Sequence, residues 1–298
     1  MAHDSVVSVL DLRSVFTDFN IIIICTFVLN YIAMKTILVP VGSSQNAKSH
    51  LQYAVDFAKA FGAKVYVVQI YNVYTKAGTM IKVDHILQRE SMAFLESHIA
   101  SIDKKGVEVI AKSFKGDLID TMETISKNLE VDLIILEPRT NSIKEEVYLG
   151  KTSGKIIKRT QIPALIVPEG YKYKPIVKIL LAVKSAIIKK EDALKPLIAI
   201  KDRYKAVLNI LLVKTAHHKE KDFELNSQLK AMITNTTIAE RPTTFQAVLE
   251  HYQSNNPDLL CVVRRKRGFF SKLWEKDTIL KKDFHANKMP VLVLSGLK

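Results

Sequence analysis

Cysteine is nearly missing from this chain of 298 residues, and the shortage narrows what it can be. Cys25 and Cys261 are too few for a disulfide framework, and neither stands in the spaced Cys/His pattern that holds zinc. A reducing, cytoplasmic setting is expected. Long apolar runs are missing too: the longest, residues 21–33, has 13 residues with Asn30 inside it, where a membrane-spanning helix needs about 20. The segment before it is net acidic, with Arg13 against Asp4, Asp11 and Asp18, so it does not read as a basic signal leader. There is no G-x-S-x-G, no H-E-x-x-H and no paired-carboxylate arrangement. No enzyme activity is expected. The pair His217-His218 has no companion at ligand spacing and reads as a solvated loop, so no metal is expected.

Acidic residues are scarce in the second half. Residues 171–298 carry 25 basic against 12 acidic side chains, whereas residues 34–170 carry 18 against 15. The net charge of +14 is therefore concentrated at the C-terminal side, where it would attract an anionic ligand or an acidic partner. Within it, residues 264–282 interleave basic side chains with Phe269, Phe270 and Trp274. Exposed, they would suit an acidic protein, anionic lipid or nucleic acid; the plainer reading is a solvated loop and helix whose aromatics tuck against the sheet.

Apolar strand runs alternate with helical periodicity from Lys35 onward. KTILVPV reads as a buried strand, and the following helix carries Leu51, Ala54, Val55 and Ala58 on one face and closes on Gly62. AKVYVVQIY is a second strand, and residues 84–102 a helix with Ile86, Leu87, Met92, Leu95 and Ile99 as its buried stripe. A third strand begins at 106–110, a helix spans 118–129, VDLIILE is a fourth strand, a helix runs through Arg159, and IPALIVP is a fifth strand. Such alternation without hairpin signals implies parallel β-α-β units.

The second half repeats this order. KTILVPV from Lys35 answers to VKILLAV from Val177, VDLIILEPR to PDLLCVVRR from Pro257, and IPALIVP to MPVLVLS from Met289. Two copies of one unit are expected, residues 34–170 and 171–298, joined near 169–175, with residues 1–33 an extension outside the fold. A tether to a membrane or partner is the other reading of that extension.

ILVPVGSS, FGAKVYVV, Lys115-Gly116-Asp117, DLIIL and IPALIVP together resemble the universal stress protein family, across both copies and most clearly in the first. The resemblance implies an α/β fold of two Rossmann-like, adenine-nucleotide-hydrolase-like domains, each a five-stranded parallel sheet with helices on both faces. It also implies association through the last strands, either within the chain or as a homodimer. ATP-binding members carry G-x-x-G, nine residues, then G-[ST] after the fourth strand. Those positions here are Glu137, Thr140, Gly150 and Lys151, and the aspartate usual after the first strand is Gly42. Gly150-Lys151-Thr152 is not a P-loop either, since Glu145 stands where the first glycine must be. In the second copy the glycine positions become Val263, Lys266 and a site near Lys276.

The candidate site is thus a degenerate nucleotide loop made of Val41, Gly42, Ser44, Glu137, Arg139, Thr140, Gly150, Lys151 and Thr152. Glycine lets amides approach phosphate closely, whereas Glu137 adds a side chain and a negative charge. Tight ATP binding is not expected, and no cofactor is assigned. The leading expectation is a stress-response protein that works by binding a ligand or partner. An adenine-nucleotide sensor and a membrane-tethered or nucleic-acid-associated adaptor are the alternatives.

Overall fold

The computed structural model describes residues 34–42, 44, 46–72, 83–137, 147–149, 151–188, 190–242, 246–248, 250–251, 256–264, 279–280 and 289–295. The expected N-terminal extension, Arg139, Thr140, Gly150 and the three aromatics of the basic stretch lie outside them.

Runs that are apolar at every position become central parallel strands, because helices on both faces leave them no wet side. In the first half, β1 (Thr36–Pro40) lies between β2 (Lys64–Tyr71) and β4 (Leu133–Leu136), with β3 (Val109–Lys115) outside β2 and β6 (Ala164–Ile166) outside β4, all parallel. The second half repeats the arrangement with β7 (Lys178–Val183) between β8 (Val207–Lys214) and β10 (Leu259–Arg264), β9 (Asn235–Glu240) outside β8, and β12 (Val291–Ser295) outside β10.

The two last strands pair antiparallel, Ile166 opposite Val291 and Ala164 opposite Val293. One ten-stranded sheet results, ordered β3-β2-β1-β4-β6-β12-β10-β7-β8-β9. Its buried face runs without a break from Leu38 and Ile134 through Ile166, Val291 and Val293 to Leu180 and Leu211. A second link is the small antiparallel pair of β5 (Val147–Leu149) with β11 (Ile279–Leu280).

A shared aspartate device marks the two copies. The carboxylate of Asp132, just before β4, accepts from the amides of Lys35 and Thr36 at 2.7 and 2.9 Å. Asp258, just before β10, accepts in the same way from Val177 and Lys178 at 2.9 and 3.0 Å. Each pins the start of its neighbouring strand, where edge amides lack a ladder partner.

Helix α1 (Ala47–Phe61) buries Leu51, Ala54, Val55 and Ala58 and stops at Gly62, whose φ of 65° is the left-handed C-terminal conformation that glycine adopts without strain. Helix α2 (Val83–Ala100) departs from its expected stripe. Leu95 and Ile99 are buried, but Ile86 is 42% exposed, and Ser91 takes the buried place one turn before Leu95. Helices α3 (Leu118–Asn128), α4 (Lys151–Arg159) and α5 (Lys195–Tyr204) follow, while α6 (Ser227–Met232) has only six residues. Beside so short a helix, β9 is exposed at every position but Ala239.

The connection between the halves is packed. Tyr171 and Tyr173 lie edge-on to Tyr53 of α1, at 6.1 and 5.8 Å between ring centres, and the hydroxyls of Tyr173 and Tyr204 are 2.7 Å apart. The basic stretch also differs from the loop-and-helix reading at both of its described parts. Arg264 is 5% exposed and buried against α4, and residues 279–280 form a strand. The buried guanidinium belongs to the joint between the halves, not to a basic surface. Of the histidine pair, His217 is exposed, but the His218 ring packs 4.1 Å from Phe223. Cys261 is fully buried in β10, which pushes its thiol pKa far up. No described helix is long and apolar enough to cross a membrane.

Candidate functional site

In the first half the strand order reverses between β1 and β4, so the connections leaving their carboxyl ends go to opposite faces of the sheet and a crevice opens between them. A cavity of about 590 Å³ occupies that crevice. Pro40, Val41, Gly42 and Ser44 come from the end of β1, Val68, Gln69 and Ile70 from β2, and Leu136 and Glu137 from β4. Phe94, Leu118, Met122 and Ile156 wall it from α2, α3 and α4, while Thr152 and Ser153 put hydroxyl residues of the first turn of α4 on its rim.

The loops that shape the cavity are tied to the strands beneath them. Val41 donates its amide to the Val68 carbonyl at 2.9 Å, extending the β1–β2 ladder into the loop. Ser44 donates its amide to the Gly42 carbonyl at 2.8 Å, and its hydroxyl accepts from the Asn46 amide at 3.2 Å, leading into α1. Ser153 donates its hydroxyl to the Glu137 carbonyl at 3.2 Å, which holds the start of α4 against the end of β4. The expected Lys115-Gly116-Asp117 motif serves this wall as well. Asp117 caps α3, accepting from the amides of Ile119 at 2.8 Å and Asp120 at 3.3 Å, and these bonds, with the charge of Lys155, hold its carboxyl below the usual range.

Five of the nine expected site residues, Val41, Gly42, Ser44, Glu137 and Thr152, line this one cavity. Lys151 begins α4, and Arg139, Thr140 and Gly150 lie outside the described residues. Sequence reasoning missed Gln69, Phe94, Met122 and Ser153. Gln69 is the one polar residue in the apolar run VYVVQIY, which was the available signal for it.

Helix α1 also carries a buried histidine. His50 of α1 is 6% exposed, Nε2 has no hydrogen-bond partner among the described residues, and burial lowers its pKa to about 4 although the bond to the Ile135 backbone pulls the other way. Among the described residues no group of three or more His, Cys, Asp or Glu side chains is arranged to hold a metal ion.

The second half uses the same place differently. The loop after β7 carries Lys184 and Ser185 where the first half has Gly42 and a serine, and the Ala186 amide donates to the Asp222 carbonyl at 2.6 Å. The segment between β8 and α6 is thereby drawn onto that loop.

Residues 34–168 match the sequence model of the Universal stress protein family. Over this stretch the chain is similar to the universal stress proteins. A universal stress protein of Methanocaldococcus jannaschii is 22% identical over 143 residues, covering 46% of this chain and 84% of that protein. The crystal structure of a universal stress protein from Archaeoglobus fulgidus covers 88% of this chain and 98% of its own, with a TM-score of 0.66 at 17% identity. A functionally unknown protein from Pseudomonas aeruginosa PAO1 covers 90% and 95%, with a TM-score of 0.54 at 16% identity. The Rossmann-like architecture of both halves is thus shared with solved structures.

Proposed function

We propose that the chain is a cytoplasmic stress-response protein without enzymatic activity, whose first half holds a nucleoside-sized ligand in the switch-point cavity and disfavours polyphosphates. The volume of about 590 Å³, with apolar walls and a few polar groups on the rim, falls within the range of small-molecule sites. Glu137 carries the reading. It lines the cavity beside Thr152 and Ser153, where the N-terminus of α4 would otherwise favour an anion. A carboxylate there repels phosphate, by up to about 4 kcal/mol for unit charges ~4 Å apart at an effective dielectric of ~20.

The hydroxyls of Thr152 and Ser153 favour a second reading, an adenine-nucleotide sensor in which they meet the phosphates. Calorimetric titration with adenosine, inosine and Mg-ATP separates the two. Nucleoside binding with ATP at least tenfold weaker, and ATP affinity rising in Glu137→Gln, is expected. Micromolar ATP binding by the unaltered protein would establish the sensor instead, and the absence of any nucleoside binding would remove the ligand reading. The domain limits, 34–170 and 171–298, belong to the same proposal, as does self-association into a homodimer. The excess charge of residues 171–298 supports an acidic partner or anionic ligand for the second half.

A further inference from the structure

We infer that Gln69 selects the ligand of the first-half cavity, and that it selects a ring carbonyl over a ring amino group. This rests on the proposal that the cavity holds a nucleoside-sized ligand.

Gln69 stands at the carboxyl end of β2 and lines the cavity between Val68 and Ile70. A relay of two serines reaches it from behind. Ser113 of β3 donates its hydroxyl to Ser91 Oγ at 2.7 Å, and Ser91 of α2 donates to Gln69 Oε1 at 2.7 Å. Ser91 is only 6% exposed, so its hydroxyl proton goes to a protein acceptor and not to bulk water.

A serine hydroxyl has one proton to give. Once Ser91 has donated to Oε1, one of that oxygen's two lone pairs is taken and the amide's orientation is fixed, while neither Nε2 proton is used. The Gln69 side chain has no other partner among the described residues, so the Nε2 end, with both protons unused, is the end of the amide most in need of a ligand partner. The neighbouring groups on the cavity wall, Ile70, Phe94 and Met122, are apolar.

A donor in an apolar wall discriminates by complementarity. A 6-oxopurine presents an acceptor and completes the bond. A 6-aminopurine presents its own donors, which leaves two sets of N–H groups facing each other and desolvated. The relay matters because it keeps the amide from turning over. Without Ser91 the amide can rotate by 180° and offer either end.

The experiment is calorimetric titration of the full chain with inosine and with adenosine, for wild type, Gln69→Leu and Ser91→Ala, with melting curves to confirm folding. Wild type is expected to bind inosine about tenfold more tightly, the worth of one well-made hydrogen bond of roughly 1.4 kcal/mol. Gln69→Leu should bind both nucleosides alike, and Ser91→Ala should lose most of the preference while still binding both. Equal binding by wild type, a preference for adenosine, or a preference that survives in Gln69→Leu would overturn the inference while leaving the ligand site standing. If neither nucleoside binds, the site proposal falls and takes the inference with it. Should Gln69→Leu fail to fold, the wild-type ratio and Ser91→Ala decide the matter.

Discussion

Arg264, at the end of β10 in the second half, donates through Nη2 to the carbonyl of Thr160 at 2.6 Å, just past the end of α4 in the first half. Its Nη1 donates to the Ile157 carbonyl at 2.5 Å and also to that of Lys158. Those carbonyls belong to the last turn of a helix, which has no intrahelical donors for them and carries the negative end of the helix dipole. The same helix lines the switch-point cavity with its first turn. The second half therefore holds one end of a helix whose other end shapes the site.

Arg264→Met keeps the apolar stem and removes all the donors, leaving buried carbonyls unpaired. A loss on the order of 3 kcal/mol is expected from urea denaturation, with Arg264→Lys intermediate, since an ammonium restores charge but not the planar fork. Unchanged stability in Arg264→Met would mean the carbonyls find water, and the clamp would not matter to the fold.

Asp258 offers a test at acid pH. Burial raises its pKa, but the hydrogen bonds from Lys174 and from the amides of Lys178 and Val177 outweigh that and hold it below its ordinary 3.8. A depressed carboxylate pKa stabilises the folded state above the unfolded value, and the contribution disappears as pH falls through the folded value. The stability advantage of wild type over Asp258→Asn should accordingly be constant near neutrality and shrink below pH 3.8, as read by denaturation at a series of pH values. A constant difference down to pH 2 or so would show that the charge is not what matters.

His50 acts in a separate window. Its folded pKa of about 4 lies below the ordinary 6.5 because burial disfavours the imidazolium. Between those values the unfolded chain takes up a proton that the folded one refuses, so stability falls as pH drops from 6.5 and levels off near 4. At about 1.4 kcal/mol per unit, the whole effect approaches roughly 3 kcal/mol. His50→Leu should flatten this part of the pH–stability curve. An identical slope in the variant would show that another group causes it.

Much of the fold was legible because parallel strands buried on both faces are written as unbroken apolar runs, as in KTILVPV and VKILLAV, and because the repeat carried the aspartates 132 and 258 into matching places. Less legible was anything set by tertiary contact. Ile86 has the right helical spacing, yet it lies in the first turn of α2 and stays 42% exposed. Arg264 looked like one more basic residue in a charged stretch, and only its burial against α4 shows it as a helix cap. The part of the cavity formed by the loops after β1 and β4 could be read from the sequence. The relay behind its wall, Gln69 with Ser91 and Ser113, depends on three residues from three elements with no local pattern to join them.

Gly116 ties the cavity wall to backbone geometry. It follows β3 with φ of 149°, a conformation that L side chains rarely adopt, and its amide donates to the Tyr71 carbonyl at 3.0 Å, continuing the β2–β3 ladder. A Cβ at this position would meet Thr121 Oγ1 at 2.5 Å, inside van der Waals contact, on the first turn of α3. Gly116→Ala thus adds backbone strain and pushes on the helix that supplies Leu118 and Met122 to the cavity. A destabilisation of about 1–3 kcal/mol is expected. Thr121→Ala removes the struck atom, so the double variant should regain the steric part and keep the backbone part. Full recovery in the double variant would assign the whole cost to the clash, and no recovery would assign it to φ; a neutral Gly116→Ala would show that the turn can take another conformation.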